Sequence, residues 1–400
     1  MSLTTLLADY RRDAEPRVTS LARQAAGRAP QLTERFRAAH LPDGPEDLAG
    51  LDRVPVLGKD DLPGLRSERP FGGLLTDGAQ VVRAFASPGP IYEPQLAGPD
   101  PWGWAPALEA CGIGADDLVL NCFSYHLSPA GAMFDEACRA LGATVVPAGV
   151  GMQEVQAQVI ADLGVTAYVG LPSYLAALVS TYDAAGLDRS RWGLVKALVT
   201  AEPLPPELRS SLEERVPTVR MAYGTAEAGL IGHETAPDAG LRLGHEVFVE
   251  LCDPATGVPV EDDLPGEVVV SVLHEDFPLL RFGTGDVSRW QVTDGELRLA
   301  GVLGRVGAAV KVRGMFVHPH QASEVLAGLR SDGVAEGAFV VERSGGADVL
   351  TLDLVPRPGA DVDRVVEIAA RRCRDTLRVR PQVRVVADLD ADAVLVDRRM

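Results

Sequence analysis

Between residues 80 and 223, short apolar runs alternate with longer stretches whose apolar positions follow a helical repeat. The short runs predict buried strands at 118–123, 143–147, 167–171, 197–200 and 219–223. The longer stretches predict helices at 130–141, 154–163, 174–182 and 206–216. Strands and helices in alternation favour right-handed crossovers and a parallel sheet that is buried on both faces. Ligands of such sheets lie at the carboxyl ends of the strands, so the candidate chemistry is expected there.

The segments on either side have a different pattern. Residues 1–75 predict helices joined by proline-rich loops, and the chain beyond Gly232 predicts strands with turns such as Asp253-Pro254. A further unit is predicted to contain a strand at 310–317, a helix at 321–329, strands at 338–342 and 349–355, a helix at 362–373 and a strand at 383–386. The predicted fold class is therefore α/β. A large N-terminal domain, 1–303, has parallel sheets flanked by helices and a β-rich part at about 233–303, and a small α+β domain follows at 304–400.

Composition and charge argue against a nucleic-acid-binding, secreted or membrane-spanning protein. The net charge of -18 argues against nucleic acid as the main partner, because phosphate contacts need clustered basic charge. Residues 1–12 lack the apolar core of a signal peptide, and no apolar run reaches the roughly 18–20 residues of a membrane span. We therefore expect a cytoplasmic protein without a membrane partner. The five cysteines are scattered, which predicts free buried thiols and no structural zinc site.

Four residues near the end of the strand predicted at 219–223 have nucleotide-binding chemistry. Tyr223 offers a ring for stacking, and Gly224 permits close approach of the backbone to a ligand. Thr225 offers a hydroxyl to a phosphate oxygen, and Glu227 offers a hard carboxylate to magnesium. The alternative is an ordinary strand end followed by a solvated glutamate.

Other candidates have similar alternatives. Asp286 follows a glycine-containing turn and could accept both hydroxyls of a ribose, or could be only an acidic turn residue. Glu202 could face the dipole of the helix predicted at 206–216, and Arg305 could reach a phosphate or lie on the surface. His126 could act as a base or be a packed histidine, and Cys122 beside it could be a nucleophile or a structural thiol.

Taken together in this order and spacing, these residues resemble the adenylate-forming superfamily, specifically its phenylacetate–coenzyme A ligase-like branch. The resemblance extends from about residue 54 to residue 399 and is carried by six segments, at 201–203, 223–227, 281–286, 304–305, 311–314 and 396–399. Two further segments, 171–174 and 314–319, are similar to the same branch. It implies a small C-terminal domain that rotates about a hinge. It also implies two half-reactions, in which ATP and a carboxylate give an acyl-adenylate, and coenzyme A then displaces AMP.

The resemblance also implies roles for individual residues. Glu227 would hold magnesium and act with Thr225 and His126 in catalysis. Lys311 and Gly314 would lie near the coenzyme A channel. The acyl pocket would contain Phe123, Tyr125 and His126. The nucleotide would be bound by Ser87, Gly89, Glu202, Pro203, Tyr223, Gly224, Thr225, Asp286 and Arg305.

The chain departs from the family pattern at two points. In the stretch that corresponds to the phosphate loop, Ser87 and Gly89 fit, but Pro88 and Pro90 have no N–H to donate and Glu93 stands where a cation is expected. The family's late lysine is also missing, because the three lysines are Lys59, Lys196 and Lys311. Either Arg398 or Arg399 could replace it.

Three functions are therefore open. The first is an adenylate-forming acyl- or aryl-coenzyme A ligase that uses ATP, magnesium and coenzyme A on a small or aromatic carboxylate. The second is an ATP-independent transfer or thioester-cleaving enzyme on the same fold, which acts on the coenzyme A thioester. The third is a non-catalytic binding subunit. A homodimer is compatible with each.

Overall fold

The computed structural model describes residues 1–66, 70–87, 91–254, 256–306, 310–312, 315–317, 319–344, 347–377, 379–389 and 394–399. These residues form two compact units, Met1–Gly304 and Arg305–Met400. The predicted α/β fold class, with parallel sheet and flanking helices, is confirmed.

A nine-stranded sheet forms the centre of the large unit, and its strand order is β14-β15-β10-β9-β8-β7-β6-β4-β5. The strands from β4 to β8 are parallel, and β8 to β9 begins the antiparallel part. In chain order, β4 to β10 are Leu118–Asn121, Thr144–Pro147, Ala167–Gly170, Lys196–Val199, Thr218–Thr225, Gly229–Glu234 and Leu241–Leu243, and β14 and β15 are Trp290–Thr293 and Glu296–Leu299.

Helices cover both faces of the parallel part, as the uninterrupted apolar strand pattern predicts. Alternate strand residues enter two separate cores: Val119 and Leu198 lie in one, whereas Leu120 and Ala197 lie in the other. Two helices cover the first face, α5 (Ala105–Ala110) and α6 (Ala130–Ala140). The opposite face carries α7 (Gln153–Leu163), α8 (Pro172–Ala184) and α9 (Pro206–Glu213).

A second sheet packs the N-terminal helices. Its strands are β1 (Leu57–Gly58), β11 (Val247–Cys252), β12 (Gly266–Val272) and β13 (Phe282–Ser288), in the order β1-β13-β12-β11. The four preceding helices are α1 (Leu3–Ala25), α2 (Pro30–Ala38), α3 (Leu48–Leu51) and α4 (Leu62–Arg66). Ser2 caps the first of them, because its hydroxyl accepts a hydrogen bond from the Thr5 amide at 3.2 Å.

A separate hairpin was missed by the sequence analysis. It consists of β2 (Val81–Ser87) and β3 (Ile91–Leu96), which pair with each other and are joined by three residues. Polar side chains and three prolines interrupt the apolar alternation that would have indicated strands here. The stretch compared with a phosphate loop is therefore the end of a two-stranded ribbon.

The small unit has a four-stranded sheet in the order β21-β20-β19-β22 and two helices, α10 (Pro319–Arg330) and α11 (Val362–Leu377). The strands from β19 to β22 are Val334–Ser344, Ala347–Pro356, Gln382–Val385 and Leu395–Asp397. The single strand predicted at 310–317 is wrong, because the chain forms two antiparallel strands, Val310–Val312 and Met315–Val317. A glycine at position 314 provides the break in the apolar run. Of the helices within the described ranges, none is long and apolar enough to cross a membrane.

Candidate functional site

Two of the predicted nucleotide residues meet inside the large unit. The hydroxyl of Tyr223 donates to Oδ2 of Asp286 at 2.8 Å and lies 3.2 Å from Oγ1 of Thr284. Tyr223 and Asp286 are 8% and 5% exposed. Tyr223 lies in β8 of the nine-stranded sheet and Asp286 in β13 of the second sheet, so their contact joins the two sheets. The contact fixes the orientation of the Asp286 carboxylate.

Tyr223 itself lies inside β8, two residues before its end, and not at the strand end where the sequence analysis located it. Its ring packs in the apolar cluster that contains Ile231 and Val270. Little of the ring is therefore open to stack on a ligand, and its hydroxyl is the part that serves the site.

Gly224 is needed for internal packing. A Cβ at this position would lie 2.2 Å from the carbonyl oxygen of Gly229 and 2.7 Å from the indole of Trp104. The close approach that the sequence predicted thus involves the neighbouring strand and a core tryptophan. Any larger residue would push β8 away from β9.

Thr225 and Glu227 follow at the end of the same strand. Oγ1 of Thr225 accepts a hydrogen bond from the Ala228 amide at 3.0 Å, which orients the hydroxyl and leaves its own proton for another acceptor. The side chain of Glu227 is only 3% exposed, and its Oε1 lies 2.9 Å from Nζ of Lys59. Oε2 of Glu227 has no hydrogen-bond partner among the described residues. Among the described residues no group of three or more His, Cys, Asp or Glu side chains could hold a metal ion, so a magnesium ion here would have at most two such ligands from the protein.

Glu227 also lines an open cavity that holds about 620 Å³ of free space when the adjoining open solvent is included. The cavity lies between the β2–β3 hairpin, the turn after β8 and the segment that follows β12. Its walls are mainly apolar and aromatic, and Glu93 and Glu227 are the acidic residues among the described lining. Both are buried, with relative exposures of 3% and 6%. The lining includes Leu62, Phe71, Tyr92, Glu93, Trp102, Glu227, His274 and Phe277.

Glu202 lies on a bend after β7, where Ala201 has a positive φ of 67°. The hydroxyl of Ser173, in the first turn of α8, donates to Oε2 of Glu202 at 2.5 Å. The helix that follows begins after Pro205 and has no side-chain cap, so the structure records a contact of Glu202 with α8 and none with the start of α9. Pro203 is exposed beside it.

The residues expected in an acyl pocket differ in accessibility. Phe123 is buried and stacks on Phe134 with ring centroids 4.9 Å apart. The Tyr125 hydroxyl donates to Asp135 at 3.1 Å and accepts from Asn121 at 2.8 Å. Burial and the neighbouring Asp135 raise the pKa of Tyr125, which keeps its hydroxyl protonated.

His126 and Cys122 do not form a nucleophile pair. His126 is exposed, whereas Cys122 is 2% exposed and packs in a core cluster. Burial raises the pKa of the Cys122 thiol to about 12, so the reactive thiolate is disfavoured at neutral pH. Of the three predicted acyl-pocket residues, only His126 offers an accessible functional group, and none of the three lines the 620 Å³ cavity.

The remaining predicted residues have less structural context. Ser87 ends β2, and Gly89 lies outside the described residues. Arg305 is exposed in the two-residue strand Gly304–Arg305. Lys311 lies in Val310–Val312, and Gly314 is outside the described residues.

Arg399 is held within the small unit. Its guanidinium contacts Oδ2 of Asp348 at 2.6 Å and both oxygens of Asp397 at 2.5 and 2.8 Å. These contacts occupy one of the two arginine side chains that the sequence suggested as a replacement for the missing lysine, the other being Arg398.

Sequence reasoning missed three residues of the site. Lys59 follows the apolar segment 54–57, and nothing local indicates that its ammonium reaches Glu227. Trp102 carries no motif of its own, and Ser173 lies in the segment 171–174, which resembles the family but was assigned no role. The scarcity of lysine was the one available signal. In a chain whose basic residues are almost all arginine, a retained lysine such as Lys59 is a candidate for a specific role.

Comparisons with known proteins show what the chain as a whole is similar to. A protein-family model described as "AMP-binding enzyme" matches residues 105–272. A phenylacetate–coenzyme A ligase of Aromatoleum evansii is 28% identical over 86% of this chain and 80% of its own length. A phenylacetate–coenzyme A ligase of Pseudomonas putida is 30% identical over 76% of this chain and 72% of its own length.

A solved structure shares the fold along nearly the whole chain. The crystal structure of a 2-hydroxyisobutyryl-CoA ligase, in complex with 2-HIB-AMP and CoA, superposes with a TM-score of 0.78 and 23% identity. The match covers 98% of this chain and 90% of the ligase.

Proposed function

Because the chain belongs to the phenylacetate–coenzyme A ligase family of adenylate-forming enzymes, we propose that it is an acyl- or aryl-coenzyme A ligase. It activates a small or aromatic carboxylate as an acyl-adenylate and then transfers the acyl group to coenzyme A. ATP supplies the adenylyl group and pyrophosphate leaves. The relatives named as phenylacetate–coenzyme A ligases favour an aromatic carboxylate within this class.

The observation that carries the proposal is the buried contact between Tyr223 and Asp286. A carboxylate that a tyrosine hydroxyl holds in place is well suited to accept hydrogen bonds from the two hydroxyls of a ribose. Thr225 lies two residues after Tyr223, and its hydroxyl proton can be donated to a phosphate oxygen. The phosphate contact would then come from Thr225 at the end of β8, and the sugar contact from Asp286 in β13.

Glu227 is the residue that would hold magnesium. Magnesium in nucleotide enzymes is bound by one or two carboxylates together with phosphate oxygens and water, and the unpartnered Oε2 of Glu227 fits that role. A bound magnesium ion would supply neutralisation of phosphate charge. Lys59 would have to release Oε1, and its half-exposed side chain permits this. The coenzyme A contacts of Lys311 and Gly314, and the contact of Arg305 with the nucleotide, stay proposals from the family resemblance.

One observation favours the ATP-independent alternative. The hairpin that corresponds to the phosphate loop carries Glu93, which is 3% exposed on the cavity wall. Glu93 stands where the family pattern has a cation, so this position supplies no positive charge to phosphate oxygens, and Arg399 is engaged by Asp348 and Asp397. A relative that had lost ATP activation would retain binding of the acyl group and coenzyme A.

The test is carboxylate-dependent exchange of labelled pyrophosphate into ATP, with phenylacetate, benzoate and short aliphatic acids as substrates. Formation of the coenzyme A thioester is followed in parallel by mass. The ligase predicts exchange and thioester. Binding of an acyl-coenzyme A without exchange would support the alternative, and binding of neither nucleotide nor coenzyme A would indicate a non-catalytic subunit.

The Asp286→Asn variant tests the site itself. Loss of the charged acceptor should weaken AMP binding about tenfold to a hundredfold, because hydrogen bonds to charged groups contribute about 1.5–3 kcal/mol. Calorimetric titration with AMP measures it. The exposed Asp263, in the same unit, provides the matched control Asp263→Asn.

A further inference from the structure

The strand that carries Asp286, β13, is irregular at that residue. Glu267 of β12 pairs with Val287 of β13, and beyond this pair the register of the two strands shifts. The three residues 284–286 then lie opposite the single residue Val268. Such a bulge bends its strand and changes the direction of a side chain, and bulges are frequent beside functional sites. The direction of the Asp286 carboxylate is therefore set by the shape of this bulge.

Side chains accept the hydrogen bonds of the amides in the bulge. The amide of Gly285 donates to Oε1 of Glu267 at 3.0 Å, and the amide of Asp286 donates to Oγ1 of Thr284 at 3.1 Å. The Thr284 hydroxyl in turn donates to the carbonyl oxygen of Val268 at 2.9 Å. Buried backbone amides need an acceptor, and at a bulge the facing strand no longer supplies one in register. Glu267 and Thr284 therefore hold the bulge in shape.

The side chain of Glu267 lies across β13 at two glycines. A Cβ at Gly283 would lie 2.6 Å from Oε1 of Glu267, so the lack of a side chain there leaves room for the carboxylate. Gly285, whose amide reaches the same oxygen, has a φ of 73°, in the left-handed region that favours glycine. One glycine thus leaves space for Glu267, and the other presents its amide to it.

The negative charge of Glu267 is unfavourable at this place. Burial raises the pKa of Glu267, the hydrogen bond from the Gly285 amide opposes this shift, and the charge of Asp286 adds to it. Two carboxylates that are close together disfavour each other's ionisation. The contact with Gly285, rather than the charge, is therefore the useful property of this side chain. A side chain of the same length with a neutral acceptor should be able to replace it.

We propose that Glu267 is a positioning residue for Asp286 and acts through the amide of Gly285. The inference rests on the proposed role of Asp286 as the acceptor for the ribose hydroxyls. Tyr223 holds Oδ2 of the Asp286 carboxylate, and Glu267 holds the backbone that precedes it. With both restraints the carboxylate is in place before the nucleotide binds, so binding loses less conformational freedom.

The test compares two variants that separate length from charge. Glu267→Asp keeps the carboxylate but shortens the side chain by a methylene group, so its oxygen no longer reaches the Gly285 amide. Glu267→Gln keeps the length and an acceptor oxygen but removes the charge. Calorimetric titration measures the affinity of each variant for AMP and for dideoxy-AMP, which lacks both ribose hydroxyls. We expect Glu267→Asp to bind AMP about tenfold more weakly and Glu267→Gln to remain within about threefold of the unmodified protein, while dideoxy-AMP binds all three proteins alike.

The outcomes separate this inference from the proposed function. If the unmodified protein does not prefer AMP to dideoxy-AMP, Asp286 does not serve the ribose, and the nucleotide site and this inference both fail. If that preference is present and Glu267→Asp retains it in full, only this inference fails. The same holds if Glu267→Gln loses more affinity for AMP than Glu267→Asp does, or if Glu267→Asp weakens both ligands alike.

A double-mutant cycle tests the route through Asp286. In the Asp286→Asn background, Glu267→Asp should change the affinity for AMP by less than about twofold, because the effects of residues that act through one another are not additive. A further loss of about tenfold would mean that Glu267 contacts the nucleotide independently, which contradicts the proposal. Asp47→Ala is the matched control, because Oδ1 of Asp47 also accepts a glycine amide, that of Gly50 at 2.7 Å, but at the start of α3. It should leave the ratio of the two affinities unchanged.

Discussion

Two nearly inaccessible glutamates of the large unit each face a cation, and the two pairs differ in how firmly the cation is held. Glu250 and Arg281 are 0% and 1% exposed in their side chains, with Oε2 3.3 Å from Nε. The Arg281 guanidinium also donates to the carbonyl oxygens of Asp52 and Val54 at 2.7 and 2.8 Å. Glu227, in contrast, faces a single flexible lysine whose side chain is 43% exposed.

The difference separates structure from function. Arg281 belongs to the segment 281–286, which resembles a nucleotide motif. Its guanidinium nevertheless contacts Glu250 of β11 and the carbonyl oxygens of Asp52 and Val54, so it links β11 and the segment that precedes β13 to the N-terminal segment. Lys59 belongs to no motif, yet its ammonium can leave Glu227 for solvent at little cost. A ligand can replace Lys59 at Glu227 more easily than it can replace Arg281 at Glu250.

The largest effect is expected for Arg281→Met. It leaves Glu250 buried without a counter-charge, and breaking a buried pair in this way costs about 3–5 kcal/mol of unfolding free energy. Burial raises the pKa of Glu250 to about 7 even though Arg281 opposes the shift, so the carboxyl is already costly to ionise. Urea denaturation measures the loss. The double variant Arg281→Met/Glu250→Leu should regain part of it, and a loss below about 1 kcal/mol in the single variant would remove the contrast.

Glu227→Gln should give the opposite profile. The rate of pyrophosphate exchange is expected to fall about 10²–10³-fold, as for loss of one electrostatic group at a reacting phosphate. Stability should change little, because the released Lys59 is already half exposed to water. The measurement pairs exchange rates across a magnesium series with urea midpoints. If stability falls as far as in Arg281→Met, the two glutamates are equivalent and the distinction is wrong.

His233 extends the comparison to a buried base without an opposite charge. Burial, reinforced by Arg242 and Arg298, lowers the pKa of His233 to about 4 from 6.5. Above pH 6.5 the histidine is neutral in the folded and the unfolded state, so it contributes no pH dependence to the free energy of unfolding. As the pH falls from 6.5 towards 4, the unfolded chain takes up the proton first, so stability is lost, by about 2–3 kcal/mol at most. His233→Gln should remove this part of the pH dependence in urea titrations at pH 7 and pH 4.5. An unchanged difference between the two pH values would mean that the buried imidazole is not responsible.

The smallest effect is expected for Lys59→Met on stability. Lys59 is 43% exposed and approaches one oxygen of Glu227, so water can replace its ammonium there and the loss should be about 0–1 kcal/mol. Lys196→Met should cost more, because Lys196 is only 28% exposed and its ammonium contacts both oxygens of Asp117, at 2.8 and 3.0 Å. Burial tends to raise the pKa of Asp117, but hydrogen bonds from Lys196, Gly114 and Thr166 outweigh it and lower the pKa. A larger loss in Lys59→Met than in Lys196→Met would mean that Lys59 is structural.

The sequence by itself determined the sheet and the types of residue at its edge. Alternating apolar runs predicted strands such as Ala167–Gly170 and helices such as Gln153–Leu163 to within a few residues, because local periodicity records which faces are buried. Tyr223, Glu227 and Asp286 became candidates through their joint order and spacing, since each alone could equally be an ordinary strand-end or turn residue.

Only the tertiary structure decided the partners. That Tyr223 contacts Asp286, that Lys59 reaches Glu227, and that Arg281 is sealed into the core all depend on residues far apart in the chain. Periodicity carries no information about such pairs, because the energy of an ion pair or hydrogen bond is set by distance and by the exclusion of water. The same limit explains the missed hairpin at Val81–Leu96, whose two strands pair with each other and whose buried positions include the polar Glu93 and Gln95, so no apolar alternation marks them.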